Sequence, residues 1–351
     1  MLIREATDRD NKALLQLTRL NPMKGVISLC IDRQPDFFAL LKKRGESIVL
    51  VAVKNEQLTG VLSASKHLVW FNKKPVPVYY IADFKVHPAF RGSTTGLRLA
   101  KNMYEMIREK GAGLVFCTIA DGNDRILPFF KGRLGLPVFK TVGKFRVLQI
   151  IPSPVRPQVP FSVEDRTGSS PDFPLKSFYH QFFQKYQLGP VVEEEDLADC
   201  RHLIMVENGS IKAAISLMDT SHLKQHVVVG LPSYLKVVST ISRWAAKILP
   251  VRPFPKIGQP ILMWNIRYFG YLDGYEDALF KLIKVARRLA WEQKIRFLSI
   301  GLHERDPLLH RFKKIPHIPF SSHGMLATFN QKPNQVDEVA AGIPFEDFAL
   351  V

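Results

Sequence analysis

The 351-residue chain predicts an α/β (α+β) protein of two similar halves, each a central mixed, mostly antiparallel sheet flanked by helices. Three observations predict it. Segments of strand period and of helix period alternate from residue 2 to residue 151. Much of that order returns after residue 200. Between the two, 152–174 ("PSPVRPQVPFSVEDRTGSSPDFP") holds six prolines, which cannot donate to a ladder and bias their predecessors toward extended chain. The expected organisation is a domain over 1–151, a proline-rich linker over 152–174 and a second domain over 175–351.

In the first half "LIREA" reads as a short strand. "DRDNKALLQLTRL" follows as a helix with Asp8 as its cap and Leu14, Leu17 and Leu20 as its apolar stripe. "PDFFALLKKRG" is a second helix, opened by Pro35 and closed by Gly45. "SIVLVAVKNEQLTGVLSASKHLVWF" is a hairpin turning at "KNEQ". "VYYIADFKV" is a fourth strand, apolar enough for the middle of a sheet. Leu97, Ala100, Met103, Tyr104 and Ile107 recur at helical spacing, which predicts a helix over 97–109. "GLVFCTIA" is a fifth strand, "DRILPFFKGRLG" a short helix interrupted by Pro128, and "LPVFKTVGKFRVLQII" two closing strands. In the second half "HLIMVENGSIKAAISL" repeats the hairpin, with Asn208-Gly209 as its turn. "PILMWNIRYFGYL", "DALFKLIKVARRLAWEQK" and "IRFLSIGL" repeat the fourth strand, its helix and the fifth strand. An insertion near 219–259 carries "SYLKVVSTISRWAAKIL", an amphipathic helix over 233–249.

The formal charge is +17, which suits a polyanionic partner: nucleic acid, an anionic membrane surface or a phosphate-rich cofactor. Dense basic runs and nucleic-acid motifs are lacking, so nucleic acid is the weakest of these. No apolar run reaches the ~18 residues of a membrane helix, and "MLIREATDRD" lacks the apolar core of a signal peptide. Cys30, Cys117 and Cys200 are few, odd in number and widely spaced. They give neither a disulfide framework nor a metal motif, and a reducing cytoplasm is the expected compartment.

The segment "VHPAFRGSTTG", Val86 to Gly96, joins the fourth strand to the helix after it. A strand that leads through a glycine-rich loop into a helix makes an anion site, because the first-turn N–H groups are free and the macrodipole favours negative charge. Gly92 and Gly96 permit close backbone approach, Ser93, Thr94 and Thr95 add hydroxyls, and Arg91 adds a forked cation suited to phosphate. The pattern is neither a Walker loop nor a dinucleotide fingerprint. The ligand expected from these residues is a pyrophosphate.

"FKVHPAFRGSTTG" resembles motif A of the GNAT superfamily, the acyl-CoA-dependent N-acyltransferases, and the element order over 2–151 is similar to that of the family's fold. The resemblance implies acetyl-CoA or another acyl-CoA as co-substrate and an amine as acceptor. It implies that Phe84, Lys85 and Val86 contact the pantetheine, that Arg91, Gly92, Ser93, Thr94, Thr95, Gly96 and Leu97 cradle the phosphates, and that Asn123 touches the pantetheine arm. Thr94 stands where the family pattern has its first glycine, which implies a different turn, since a β-branched residue tolerates positive φ poorly. The second half's equivalent loop, "GYLDGYEDA", carries Asp273, Glu276 and Asp277 and no arginine, so it reads as a degenerate copy unable to hold CoA.

The family's chemistry is direct attack of a neutral amine on the thioester, with a base or water to take the proton. Tyr80 and Asp83 are the polar candidates on the fourth strand, and strand alternation predicts opposite faces for them. Phe130 occupies the place where relatives often carry an acid-donating tyrosine. That leaves Tyr79, Tyr104, water or unassisted thiolate departure. "NPMKG", 21–25, with Asp32 and Arg33, falls where the family lines its acceptor pocket. The first reading is acetyl transfer to a small or peptide amine, with no metal. The alternatives are a non-catalytic CoA-binding module and a long-chain acyltransferase. The sequence leaves a homodimer open.

Overall fold

The computed structural model describes residues 1–23, 28–132, 135–168, 174–233, 237, 256–329 and 334–351. The helix expected over 233–249 lies almost wholly outside them. The first half runs β1 (Leu2–Glu5), α1 (Asn11–Arg19), β2 (Ser28–Asp32), α2 (Ala39–Arg44), β3 (Glu46–Lys54), β4 (Gln57–Phe71), β5 (Lys74–Val86), α3 (Thr95–Glu109), β6 (Leu114–Ala120), a 3-10 segment (Asp124–Phe130) and β7 (Lys140–Ile150). The second runs β8 (Val163–Thr167), α4 (Leu175–Phe183), β9 (Gly189–Pro190), α5 (Glu194–Ala198), β10 (Cys200–Glu207), β11 (Ser210–Asp219), β12 (Gln225–Gly230), β13 (Pro260–Ile261) and β14 (Met263–Tyr271). It ends with α6 (Glu276–Glu292), β15 (Phe297–His303), α7 (Leu308–Phe312), β16 (His317–Thr328) and α8 (Asn334–Ala341).

The hairpins form where turn chemistry placed them. Asn55 and Glu56 take positive φ between β3 and β4, as Asn208 and Gly209 do between β10 and β11. A third such turn, Asn72-Lys73, joins β4 to β5 and lengthens β5 at its start. Leu99, Ala100, Met103, Tyr104 and Ile107 form the buried stripe of α3 against one face of the first half's sheet. Each large apolar member contributes about 1.5–3 kcal/mol by leaving water.

Both halves belong to one sheet. Among the described residues it has 13 strands, ordered β1-β3-β4-β5-β6-β16-β7-β15-β14-β11-β10-β8, with β9 paired to β4. Three expectations change here. The two closing strands expected over "LPVFKTVGKFRVLQII" are the single strand β7, whose neighbours β16 and β15 both come from the second half. Strand β16 fills the place between β6 and β7 that a local hairpin would have filled. The proline-rich 152–174 segment is also not linker throughout, since Val163–Thr167, its longest proline-free stretch with β-branched ends, pairs with β10. Finally, the loop expected between α1 and α2 contains β2, which pairs with β12 in a separate three-stranded sheet.

Candidate active site: a splayed strand pair beside a helix mouth

Strands β5 and β6 run parallel and pair only at Val78–Leu114, Tyr79–Val115 and Tyr80–Phe116. Beyond Tyr80 they diverge. β5 continues to Val86 with β4 as its only paired neighbour among the described residues, while β6 stays paired to β16. The result is a wedge whose β5 edge presents unpaired backbone. A bulge sits on the same stretch: the β4–β5 register shifts between Val61 and Ser63, and Asp83 takes φ +55°. Such a bulge re-aims the side chains beyond it. Phe84 thereby joins Tyr79 and Ile81 on the α3 side, which turns Asp83, its neighbour, to the side that Tyr80 and Ala82 occupy. The opposite faces that strict alternation predicted for Tyr80 and Asp83 are therefore not found, because alternation fails across a bulge.

The loop after β5 lies beside the mouth of this wedge. Pro88–Phe90 make a single 3-10 turn, and α3 starts at Thr95, two residues before the periodicity began. Gly92 takes the loop's one positive φ, +82°, with open space where a Cβ would stand. Thr94 sits at φ −74°, ψ 0°, an ordinary conformation, so the threonine in the family's glycine place carries no strain. The Ser93 hydroxyl accepts from the Thr95 N–H (3.2 Å) and lies 2.9 Å from the Thr95 hydroxyl. The N–H groups of Gly92, Thr94, Gly96 and Leu97 make no hydrogen bond among the described residues, as the first turn of a helix requires. Arg91 is exposed and donates to Asn21 Oδ1 at 2.8 Å, which ties the loop to the end of α1. Gly96 is buried under Phe84 and Phe129, whose Cζ atoms lie 3.1 and 3.3 Å from where its Cβ would be. Those two rings pack edge-to-face at 5.0 Å. Free amides, an exposed arginine and a glycine with open space before it fit a diphosphate, and the bare β5 edge fits an extended amide-bearing arm.

Residues 14–136 match the Acetyltransferase (GNAT) family. They form a GNAT acetyltransferase domain. Among curated protein sequences none matches the chain. Solved structures share the fold across nearly the whole chain. Saccharomyces cerevisiae N-myristoyltransferase with bound myristoyl-CoA aligns with a TM-score of 0.64 at 12% identity, over 93% of this chain and 83% of that one. A GCN5-related N-acetyltransferase from Anabaena variabilis aligns at 0.53 and 13% identity, over 93% and 72%. A conserved Enterococcus faecalis protein of unknown function, described as a probable N-acyltransferase, aligns at 0.55 and 11% identity, over 95% and 74%. The GNAT match supports acyl-CoA-dependent acyl transfer, and the neighbours show that the fold is shared.

Behind the GNAT wedge lies a group of buried charges. Asp83 accepts from both terminal nitrogens of Arg33 (2.9 and 2.7 Å), from Lys85 Nζ (2.8 Å) and from the Ser63 hydroxyl (3.0 Å). The Arg33 and Asp83 side chains are only 4% and 3% exposed, which makes this a sealed, bidentate pair. Burial alone would raise the Asp83 carboxyl, but Arg33, Lys85 and Arg44 outweigh it and hold it far below the carboxylate range. The same pairing turns the Lys85 ammonium inward, leaving its backbone as the part that faces the wedge. Tyr80 lies 2.7 Å from the Thr118 hydroxyl, closing the point where the strands separate, and burial drives its phenol far above its ordinary value. Neither side chain has the free, near-neutral lone pair a base needs. Asn123 opens the 3-10 segment after β6 without a side-chain capping bond and is exposed. Phe130 is buried edge-to-face with Phe139 at 4.8 Å, and Tyr79 and Tyr104 are buried in the α3 core, Tyr104 beside Phe139.

The second half repeats the wedge and fills it. Strands β14 and β15 pair in parallel only over Met263–Asn265 and Phe297–Ser299. The segment Phe345–Phe348 lies against both strands beyond that paired stretch. Phe345 touches the Phe269 ring, Asp347 accepts from Arg267 Nε at 2.8 Å, and the Phe348 ring covers Gly301, where no Cβ would fit. At the mouth of α6, Glu276 and Asp277 are engaged by Arg311. The second wedge is thus occupied by chain, and its helix mouth carries carboxylates.

Residues invisible to sequence reasoning arrive here from distant positions. Arg44 Nε donates to the Leu350 carbonyl, and its guanidinium sits 5.2 Å over the Tyr80 ring. Lys224 Nζ donates to the main-chain oxygens of Phe348 (3.4 Å) and Val351. Burial pushes the Lys224 ammonium down to about 7. Among the described residues no cluster of three or more His, Cys, Asp or Glu could hold a metal, and no helix is long and apolar enough to cross a membrane. Cys30, Cys117 and Cys200 are free and buried.

Proposed function

We propose that the protein transfers an acetyl group from acetyl-CoA to a primary amine of a small molecule or peptide by direct attack. The observation that carries this reading is the loss of β5–β6 pairing after Tyr80, directly beside the unbonded amides at the mouth of α3. In this reading Gly92, Ser93, Thr94, Thr95, Gly96 and Leu97 hold the pyrophosphate with Arg91. The backbone of Phe84, Lys85 and Val86 pairs with the pantetheine across the wedge, and Asn123 meets the arm from the β6 side. A main-chain N–H on the β5 edge polarises the thioester carbonyl as charge develops on its oxygen. The Tyr80–Thr118 contact at the apex favours a short acyl group, because a longer chain would have to part these two hydroxyls. Arg33, with Asp32 and β2, stands between the wedge and β12, which makes this the side from which the amine enters.

Titration calorimetry with CoA, followed by thiol release from acetyl-CoA, octanoyl-CoA and myristoyl-CoA against a panel of primary amines, tests the reading. The expected result is binding and amine-dependent thiol release fastest with acetyl-CoA. Preference for myristoyl-CoA would replace the short-acyl reading with the long-chain one. Binding without any release would favour a non-catalytic module.

A further inference from the structure

We infer that Glu346 is the general base of this acyl transfer, an assignment that rests on the reading above. The segment around it is fixed on both sides. Phe345 is buried among Phe183, Tyr186 and Phe269. Asp347 is clamped by Arg267, which is 4% exposed and also holds Asp196 at 2.9 Å. Phe348 packs at 5.5 Å on Phe145, in the same cluster as Tyr80, Phe116 and Ala82. Arg44 then joins Leu350 to the Tyr80 ring. The chain is thereby drawn over the apex of the wedge, with Glu346 held between two anchored neighbours.

The Glu346 side chain is the unengaged carboxylate of the buried charge group. It makes no hydrogen bond or ion pair among the described residues, whereas Asp83 has three donor residues and Asp347 is held by Arg267. It lies deep in the protein yet keeps part of its surface accessible, as a group lining an opening does. The charged and titratable groups within electrostatic range of it are Asp347 on its own segment, Arg44 on α2, Lys224 before β12, Tyr80 on β5 and, from the α3 side of the sheet, Cys117 on β6. Tyr80, in the cluster that Phe348 joins, stands at the last β5–β6 pair, where the strands separate and the thioester would lie. Burial, reinforced by Asp347 and only partly offset by Arg44 and Lys224, raises this carboxyl to about 8. A base poised near the working pH is the efficient kind.

In the transfer step the amine nitrogen attacks the thioester carbon and forms the N–C bond. Glu346 takes the proton that nitrogen must lose. The C–S bond breaks with its electron pair on sulfur, and the same proton passes to the thiolate, so Glu346 ends ionised.

The test uses the full chain, acetyl-CoA and the best amine of the panel, with Glu346→Gln and Glu346→Asp beside the unaltered protein. At saturating acetyl-CoA and amine the unaltered protein should show kcat rising with pH to a plateau above about 8, as the carboxyl ionises. In Glu346→Gln that limb should vanish and kcat should fall roughly a hundred- to ten-thousandfold, the usual contribution of a positioned base, with CoA affinity and a cooperative folded state retained. Glu346→Asp, which keeps the carboxylate, should restore part of the rate and the limb. A Glu346→Gln protein that keeps its limb and its kcat would overturn the assignment while leaving the acyltransferase reading standing. Absence of thiol release from the unaltered protein with every acyl donor would overturn both.

Discussion

At the scale of single residues, Asp83 and Glu346 show how environment divides two carboxylates. Asp83 is bound on every side, so its depressed pKa is a statement about stability. Its charge-linked stability is present above the unfolded carboxylate range and is lost as pH falls. Deleting one partner of a sealed pair leaves the other charge buried alone, and Arg33→Ala should cost about 3–5 kcal/mol. Denaturant melts of Arg33→Ala, Asp83→Ala and the double variant check this; the double variant should cost less than the sum. Glu346 works in the opposite sense. Its raised pKa means that stability present below the ordinary carboxylate range is lost as pH climbs through about 8. Glu346→Gln should therefore lose less stability between about pH 5 and pH 9 than the unaltered protein, as read by thermal melts across that range. Arg91→Glu should weaken CoA binding ten- to a hundredfold, the scale of one charge-assisted bond turned repulsive, with the fold intact because Arg91 is exposed. The loop into α3 was legible in the sequence as a turn before a helix because its signals are local: every residue in it lies between Arg91 and Leu97. The partners of Asp83 were not. Arg33 stands 50 positions away, and the bulge that turns the carboxylate toward it leaves no periodic trace. Glu346 lacks any motif, and its role rests on what surrounds it.

At the scale of elements, the decisive one is β5. Its middle, Val78–Tyr80, is an ordinary central strand, buried on both faces; beyond Tyr80 it keeps only β4 as a paired neighbour among the described residues. Acyl-CoA bound along that edge should slow amide exchange in β5 between Ile81 and Val86 and at the mouth of α3, while β3 and β4 change little. Hydrogen-exchange mass spectrometry with and without CoA reads this directly, and protection confined to β14 and α6 would contradict it. Helix α3 and the hairpins were legible because periodicity and turn chemistry are short-range. The strand neighbours were not. Strand β7 pairs with β15 and β16, and β16 sits between β6 and β7, although a whole half of the chain separates these segments in sequence. Alternation tells that a stretch is a strand and which face is apolar, but not which strand lies beside it. β2 was missed because its five residues mix apolar and polar types and it finds its partner only in β12.

At the scale of the whole molecule, the exchange of strands binds the two halves into one sheet. Strand β7 has only second-half neighbours, and β6 would lose one neighbour without β16. A chain cut after residue 151 should therefore fail to fold, and the full chain should unfold in a single cooperative transition by circular dichroism and fluorescence together. The duplicated wedge fits the proposed division of labour: the first keeps an unpaired β5 edge beside a loop with free amides, and the second holds Phe345–Phe348 and faces carboxylates. The repeat itself could be read from the sequence, as could the acidic loop, but the chain that fills the second wedge could not. The most direct measurement is a crystal structure of the protein grown with acetyl-CoA. The account predicts one molecule, its pyrophosphate on the amides of residues 92–97 and its thioester between β5 and β6 near Tyr80. Coenzyme A found between β14 and β15, or crystals grown at saturating acetyl-CoA that hold none, would contradict it.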